Sequence, residues 1–407
     1  MKSSAKRILT THVGSLVRPP PIVEAMIREQ MGEPLEKAAF AGTLRSAVAE
    51  VVRKQAQLGI DIIDDGEFGK SSWIGYVAER FEGLERVTFT PEMLGRSKSN
   101  PAIYPEPQRY GDFYRIYGQQ EYTAWLPDTP SRARYIAGGV TEYGKVFCAG
   151  PLRYRKEALQ RDIDNFKAAL AGVAVEEAFL PVVAPASLEN IRNAHYKTEE
   201  DYLFALAEVL STEYEMVAGA GFILQVDDAI LPMQRFMRFR DKSVAEFRNW
   251  AELRIDALNH ALRNVPEDRV RYHICFGSQN IPHTTDPALG DVLGIVLRAK
   301  AQAYSIEACN PRHEHEWQIW EEQKLPEGKI LIPGVLSHAT NIVEHPELVA
   351  LRLKNFARLV GRENVIAGTD CGFSQSWSSP RVHEQVQWAK LEAMVEGARL
   401  ASKALWR

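Results

Sequence analysis

Cysteine is scarce in this sequence. Cys148, Cys275, Cys309 and Cys371 are the four among 407 residues, too few and too scattered for a disulfide framework. Their scarcity points to a reducing compartment in which thiols stay available for other work. Long apolar runs are missing as well, so no stretch reads as a membrane span. The start, Met1-Lys2-Ser3-Ser4-Ala5-Lys6-Arg7, runs into alternating apolar and polar residues rather than the apolar core of a secretory signal. The expected location is the cytoplasm. An excess of one charge is also absent: 49 Lys and Arg stand against 53 Asp and Glu, which recommends neither nucleic acid nor an anionic membrane as partner. There is no internal repeat at a fixed period, and no helix shows an exposed apolar stripe that would specify an oligomer. No G-x-G-x-x-G follows the first expected strand, which argues against a dinucleotide fold.

What is present is a rhythm of helical stretches, short β-branched runs and Gly, Pro or charged residues. Helical patterns at 41–58, 202–218 and 251–264 each precede a buried-type strand pattern, at 59–67, 221–228 and 270–276. Further strand patterns lie at 8–14, 179–186, 303–307, 330–335 and 364–370. Eight such runs separated by helices are the signature of parallel βαβ units. That many in one chain favour a single α/β domain, a (β/α)₈ TIM barrel spanning 1–407, over an open doubly wound sheet. One region breaks the rhythm. Residues 68–145 are rich in Pro, Gly, Tyr and Arg, with Tyr104, Tyr110, Phe113, Tyr114 and Trp125 among the aromatics. They read as a long insertion after strand 2, lying over the barrel mouth or forming a peripheral arm.

Chemistry in a barrel collects where the strands end. Those ends carry Ser15, Glu67, Asp227, His273, Cys275, Glu307, His338 and Cys371. Four of these form a set: His273, Cys275, Glu307 and Cys371. Two thiolates, an imidazole and a carboxylate suit a tetrahedral Zn²⁺, and thiolates select zinc over magnesium or calcium. Within His273-Ile274-Cys275 the spacing of two puts both side chains on one face of a strand. Cys148 and Cys309 read as packing residues, Cys309 being near enough to serve as a reserve ligand. A thiolate-rich zinc is a poor Lewis acid for hydrolysis but stabilises the thiolate of an incoming thiol. Thiol alkylation is therefore the favoured chemistry.

The motifs Thr10-Thr11-His12-Val13-Gly14-Ser15-Leu16, Asp64-Asp65-Gly66-Glu67-Phe68, Leu224-Gln225-Val226-Asp227-Asp228, His273-Ile274-Cys275, Ser305-Ile306-Glu307 and Thr369-Asp370-Cys371-Gly372 resemble the cobalamin-independent methionine synthase family. The likeness is to its C-terminal catalytic barrel and its short, single-barrel relatives, which include epoxyalkane:coenzyme M transferase. The resemblance implies a zinc held by the same four residues. It also implies that Ser15, Glu67 and Asp227 hold the polar end of the thiol, and that an acid-catalyst histidine follows strand 7. There His338 is the candidate, displaced by one residue from the family register. The length leaves room for one barrel and not for the second, folate-assisting one. The segment Glu67-Phe68-Gly69-Lys70 is more typical of the short relatives.

Arg18, Lys70, Arg80 and Arg153 could each meet an anionic group on a second substrate, and Arg18, nearest a strand end, leads. His12 reads as a satisfied core histidine. The run 310–317, with His313 and His315, reads as a solvated charged loop. Together these features predict a zinc-dependent thiol S-alkyltransferase moving a methyl group to homocysteine or a similar small thiol. The alternatives are addition of a thiolate to an epoxide or another non-methyl donor, and a non-catalytic zinc- or thiol-binding barrel.

Overall fold

The computed structural model describes residues 1–86, 106–120, 125–137 and 146–407. Eight strands form one sheet: β1 (Leu9–Thr10), β2 (Ile62–Ile63), β3 (Glu177–Val183), β4 (Ile223–Asp227), β5 (Val270–Ile274), β6 (Ala303–Ile306), β7 (Ile330–Leu336) and β8 (Ile366–Thr369). Every pairing is parallel and follows chain order, and β8 returns to β1 with Leu9 opposite Ile366. The remaining seam, β1 to β2, is bridged by the Asp61 N–H donating to the Thr10 carbonyl at 3.2 Å and by Thr11 Oγ1 donating to the Ile62 carbonyl at 2.9 Å. With helices between successive strands this is the expected single (β/α)₈ barrel, nearly closed.

The helices start and stop where local chemistry dictates. Ser243 and Glu246 form a reciprocal capping box at the head of helix Val244–Ala261. Thr198 caps Glu199–Gly219 by accepting from the Asp201 N–H. Helix Lys37–Leu58 ends at Gly59, whose φ of +89° suits a residue without Cβ. The apolar faces of these helices join the outer faces of the strands in one continuous core.

Inside the barrel the filling changes with height. One end is a plug of Leu9, Ile62, Phe179, Ile223, Ile330 and Ile366. Strand side chains alternate, so Arg271, His273 and Cys275 share one face of β5, and Ile223, Gln225 and Asp227 share one face of β4. The Arg271 guanidinium lies 3.5 Å over the Phe179 ring and donates to Gln225 Oε1, Thr11 Oγ1 and the His12 carbonyl at 2.7–2.9 Å. Above the apolar plug therefore comes a hydrogen-bonded polar layer, and above that the strand ends.

Between β2 and β4 lies a second sheet of three strands. Phe81–Arg86 pairs antiparallel with Val146–Tyr154, which pairs parallel with Arg192–Asn193. Of the 68–145 segment, the described parts also include helices Glu106–Arg109, Gly111–Gln120 and Arg132–Ala137. Tyr104 lies outside the described residues. The Trp125 ring meets His383 edge-on with centroids 6.3 Å apart, and Tyr114 Oη donates to Glu106 Oε2 at 2.5 Å. No helix among the described residues is long and apolar enough to cross a membrane.

Candidate metal and thiol site

β5 delivers His273, and Cys275 follows one residue past its end; Cys371 comes from the turn after β8. All three are buried, and their ligand atoms lie within 4.8 Å of one another. The four cysteines are free thiols. Ser305 Oγ sits 3.2 Å from His273 Nδ1, whereas the buried Nε2 has no partner in the protein. A proton on Nδ1 donated to Ser305 leaves the Nε2 lone pair free, the tautomer a metal-binding imidazole needs. Gln375 Nε2 approaches Cys371 Sγ at 3.6 Å. The hydrogen bond from Cys275 holds the Cys371 thiol well below its ordinary range against the opposing effect of burial, with His273 and His338 adding to the lowering. Its counterpart, Cys275, is pushed up by that same bond and by burial. An orphaned imidazole nitrogen facing two thiols fits a thiophilic ion such as Zn²⁺.

Glu307 is not part of that close group. Its Oε2 accepts the Phe276 N–H at 2.8 Å and its Oε1 accepts from Asn310 Nδ2 at 2.9 Å. Burial and the neighbouring Asp370 raise its carboxyl to about 8, and its charge acts on both His273 and Cys275. Each oxygen keeps a second lone pair, so the two bonds steady the carboxylate without exhausting it. Cys309 is also outside the group. Rather than merely packing, its Sγ donates to Asp370 Oδ2 at 3.0 Å.

The cluster opens on a cavity of about 890 Å³ whose lining includes Ser15, Glu67, Asp227, His273, Cys275 and Cys371. Glu67 adopts a left-handed backbone, φ +57°, directly after Gly66 at +73°. Asp65 Oδ1 accepts the Glu67 N–H and Asp64 Oδ1 the Gly66 N–H, both at 2.9 Å. Lys70 Nζ lies 3.2 Å from Glu67 Oε2 and donates to the Pro181 carbonyl. Asp227 Oδ1 accepts from Gln225 Nε2 at 2.7 Å, so the chain Arg271–Gln225–Asp227 sets its orientation. Burial raises the Asp227 carboxyl to about 8, while the nearby His273 opposes that rise.

The lining excludes Arg18 and His338. The buried Arg18 guanidinium donates to the carbonyls of Ser374, Glu67 and Lys70 at 2.9–3.0 Å. It thus pins the turn after β2 to the turn after β8 from behind the site. His338 Nε2 donates to the Ser278 carbonyl at 3.2 Å; its buried Nδ1 has no partner, and burial lowers its pKa. As expected, His12 is a satisfied interior residue, bonded to Gln55 at 2.7 Å and to the Gly14 N–H at 3.2 Å.

The run 310–317 is only partly solvated. His313 is buried, correcting the expectation of an exposed loop at that position. Its Nε2 meets Asp286 Oδ2 at 3.1 Å, its Nδ1 meets Glu316 Oε2 at 2.7 Å, and its ring stacks on Phe276 at 3.8 Å. His283 joins through the same Asp286 oxygen at 2.7 Å. Two of the network's pairs, His283–Asp286 and His313–Glu316, are three residues apart in sequence, but the bond from His313 to Asp286 that joins them crosses between two loops and leaves no local pattern.

Comparison with known proteins agrees with this fold. A family described as cobalamin-independent synthase, catalytic domain, matches residues 8–119. A methionine synthase of Thermococcus kodakarensis is 20% identical over 401 residues, covering 98% of this chain and 94% of that one. A 2-hydroxypropyl-CoM lyase of Xanthobacter autotrophicus is 21% identical over 394 residues, covering 90% and 88%. In three dimensions, a B12-independent methionine synthase from Shewanella sp. W3-18-1, solved in complex with selenomethionine, superposes with a TM-score of 0.66 at 18% identity, over 98% of this chain and 99% of that one. The chain is thus similar to cobalamin-independent methionine synthases in its first 119 residues by family match and along nearly its whole length in fold.

The family match over 8–119 contains Ser15 and Glu67 but stops short of β5 and β8. The metal-type cluster therefore stands on the geometry of His273, Cys275 and Cys371 themselves.

Proposed function

We propose that this chain is a zinc-dependent thiol S-alkyltransferase that transfers a methyl group to homocysteine or a similar small thiol. Its named relatives support the coarser reading, an enzyme that transfers methyl or alkyl groups. The observation that carries the finer one is the buried His273–Cys275–Cys371 cluster, with its orphaned imidazole nitrogen, opening on a cavity that also exposes Glu67 and Asp227. His273, Cys275 and Cys371 would hold the ion, with Glu307 beside them as fourth donor. Zinc bound there supplies the positive charge that lets a thiol lose its proton near neutral pH.

The protein's own groups do the rest. Glu67 and Asp227 face the polar end of the thiol, where an ammonium group would answer their charge, and Ser15 adds a hydroxyl. Arg18 and Lys70 act behind them, holding Glu67 in its left-handed turn. The sulfur attacks the carbon of the donor in line, and His338, whose Nε2–H is held by Ser278 and whose Nδ1 is uncommitted, is the candidate to pass a proton to the leaving group, a step it performs only when charged as imidazolium. Free thiols at all four cysteines fit a reducing, cytoplasmic setting. A second reading, addition of the thiol to an epoxide, draws on the relative named 2-hydroxypropyl-CoM lyase.

Metal analysis with X-ray absorption tests the proposal. About one zinc per chain is expected, lost in Cys371→Ser, with an added sulfur in the zinc shell when the right thiol from a panel is supplied. Absence of zinc overturns both readings. Zinc whose shell ignores every thiol points to a non-catalytic zinc-binding barrel.

A further inference from the structure

We infer that the second substrate is an electrophile with an apolar body, alkyl or aryl, bulkier than a methyl group. This inference rests on the thiol-alkylation reading, because it names the other reactant at the same site. The cavity of about 890 Å³ falls in the range of roughly 300–1,000 Å³ that takes drug-sized molecules. A small thiol that reaches His273 and Cys275 while its polar end meets Glu67 and Asp227 fills only the part of the cavity at the strand ends.

The large apolar side chains of the lining are Trp73, Ile74, Val77, Phe147, Ile230 and Met233. Backbone bonds hold several of them in place. The Trp73 N–H donates at 2.8 Å to the carbonyl of Gln375, four residues beyond Cys371, which ties the apolar wall to the cysteine turn. Phe147 is fixed between Glu85 and Arg192 in the small sheet. A pterin carries ring N–H and amide groups that each surrender water on entry. In the described lining the side chains that can replace that water, apart from the groups around the cluster, are the Trp73 indole N–H, the amides of Asn190, Gln279 and Gln375 and the Ser278 hydroxyl, set among the large apolar ones. Among the described lining residues, charge beyond Glu67, Asp227 and the His273 cluster comes from the exposed Arg192. An apolar body loses nothing by entering and gains by leaving water. In the reaction the thiol sulfur forms the new bond to carbon as the bond from that carbon to its leaving atom breaks. The electron pair goes to the leaving atom, which takes up a proton.

Equilibrium dialysis of the full chain, with and without zinc, against naphthalene and against 5-methyltetrahydrofolate tests this, alongside Ile230→Asp and Phe147→Asp. Saturable naphthalene binding is expected in both metal states, weakened by roughly tenfold or more in each variant because a charge then faces the apolar body. Zinc content should be unchanged in the variants, and methylfolate binding weaker than naphthalene binding. The two variants lie on different elements, one beside the barrel and one in the small sheet, so a folding defect in one leaves the other to report. Naphthalene that does not saturate, a folded variant that keeps full affinity, or methylfolate binding the tighter of the two overturns the inference while the zinc result stands. A protein that binds naphthalene but takes no zinc instead loses the thiol-alkylation reading, and the assignment of an electrophile falls with it.

Discussion

Glu67 shows how one residue at the site is held in an unfavourable conformation. A left-handed backbone costs a side-chain-bearing residue about 1–2 kcal/mol, and here it turns the Glu67 carboxylate into the cavity. Three contacts offset the strain: Asp65 takes its N–H, Arg18 bonds its carbonyl and Lys70 sits against its carboxylate. The close approach of β1 completes the arrangement. Gly14, at φ +131°, would place a Cβ 2.5 Å from Pro181 Cγ and 3.0 Å from Glu67 Oε1. Gly14→Ala should therefore destabilise the fold by about 2–4 kcal/mol, combining backbone strain with overpacking. Urea unfolding measures the loss, and a change below about 0.5 kcal/mol, the size of an ordinary surface substitution, would show that the turn yields easily.

Among the elements, Arg80 joins three helices. It ends the short helix Val77–Arg80 and is fully buried. One nitrogen pairs with Glu213 on Glu199–Gly219, another with Asp162 at 2.6 Å on Glu157–Leu170. Tyr76 Oη donates to Glu213 at 3.1 Å, and the Tyr76 ring lies 4.5 Å from both Arg80 and Lys70, linking this junction to the Glu67 turn. Removing the guanidinium strands two buried carboxylates, so Arg80→Met should cost about 3–5 kcal/mol in denaturant unfolding. Nothing in the sequence around Arg80 announces this role, since its partners lie 82 and 133 positions away. The strands were legible for the opposite reason. Their β-branched runs are local, and the period of two on β5 already places His273 and Cys275 together. Their ends were less so. β1 stops at Thr10 where 8–14 was expected, because beyond it the chain leaves the ladder: the Val13 N–H goes to Thr369 Oγ1 and the Gly14 N–H to His12 Nδ1. Glu307 does follow β6 directly, whereas Arg18 lies well beyond the end of β1, and the bonds that occupy them include ones from distant loops, such as Phe276 N–H to Glu307 and Arg18 to the Ser374 carbonyl.

For the whole molecule, His283, which the sequence did not single out, and His313, which it placed on a solvated loop, make stability depend on pH. His283 points Nδ1 at Asp286 and Nε2 at the Gln279 carbonyl. His313 points its nitrogens at Asp286 and Glu316. All four nitrogens face acceptors, so both rings satisfy their partners only as imidazolium. Burial alone would lower His313, yet its bonds to Asp286 and Glu316 and the charge of Glu307 prevail and raise it from 6.5 to about 9; His283 is likewise raised. A folded-state pKa above the unfolded one contributes stability that is complete below pH 6.5 and vanishes as pH rises through about 9. For His313 the shift sets an upper bound of about 3 kcal/mol. The loops after β5 and β6 meet in this cluster, and Thr284, next to His283, bonds Glu106 of the 68–145 segment at 2.8 Å through its hydroxyl. Deprotonation should thus loosen the segment's attachment along with the two loops. Cys371, whose pKa is lowered, drives stability the other way over the same range, so the informative quantity is the difference between wild type and His313→Gln at each pH. Urea unfolding at about pH 6, 7.5 and 9.5 should show a destabilisation by the variant that is large at the lowest pH and shrinks towards the highest. A difference that stays constant across the series would mean that His313 is held as a neutral ring and that the cluster carries no titratable stability.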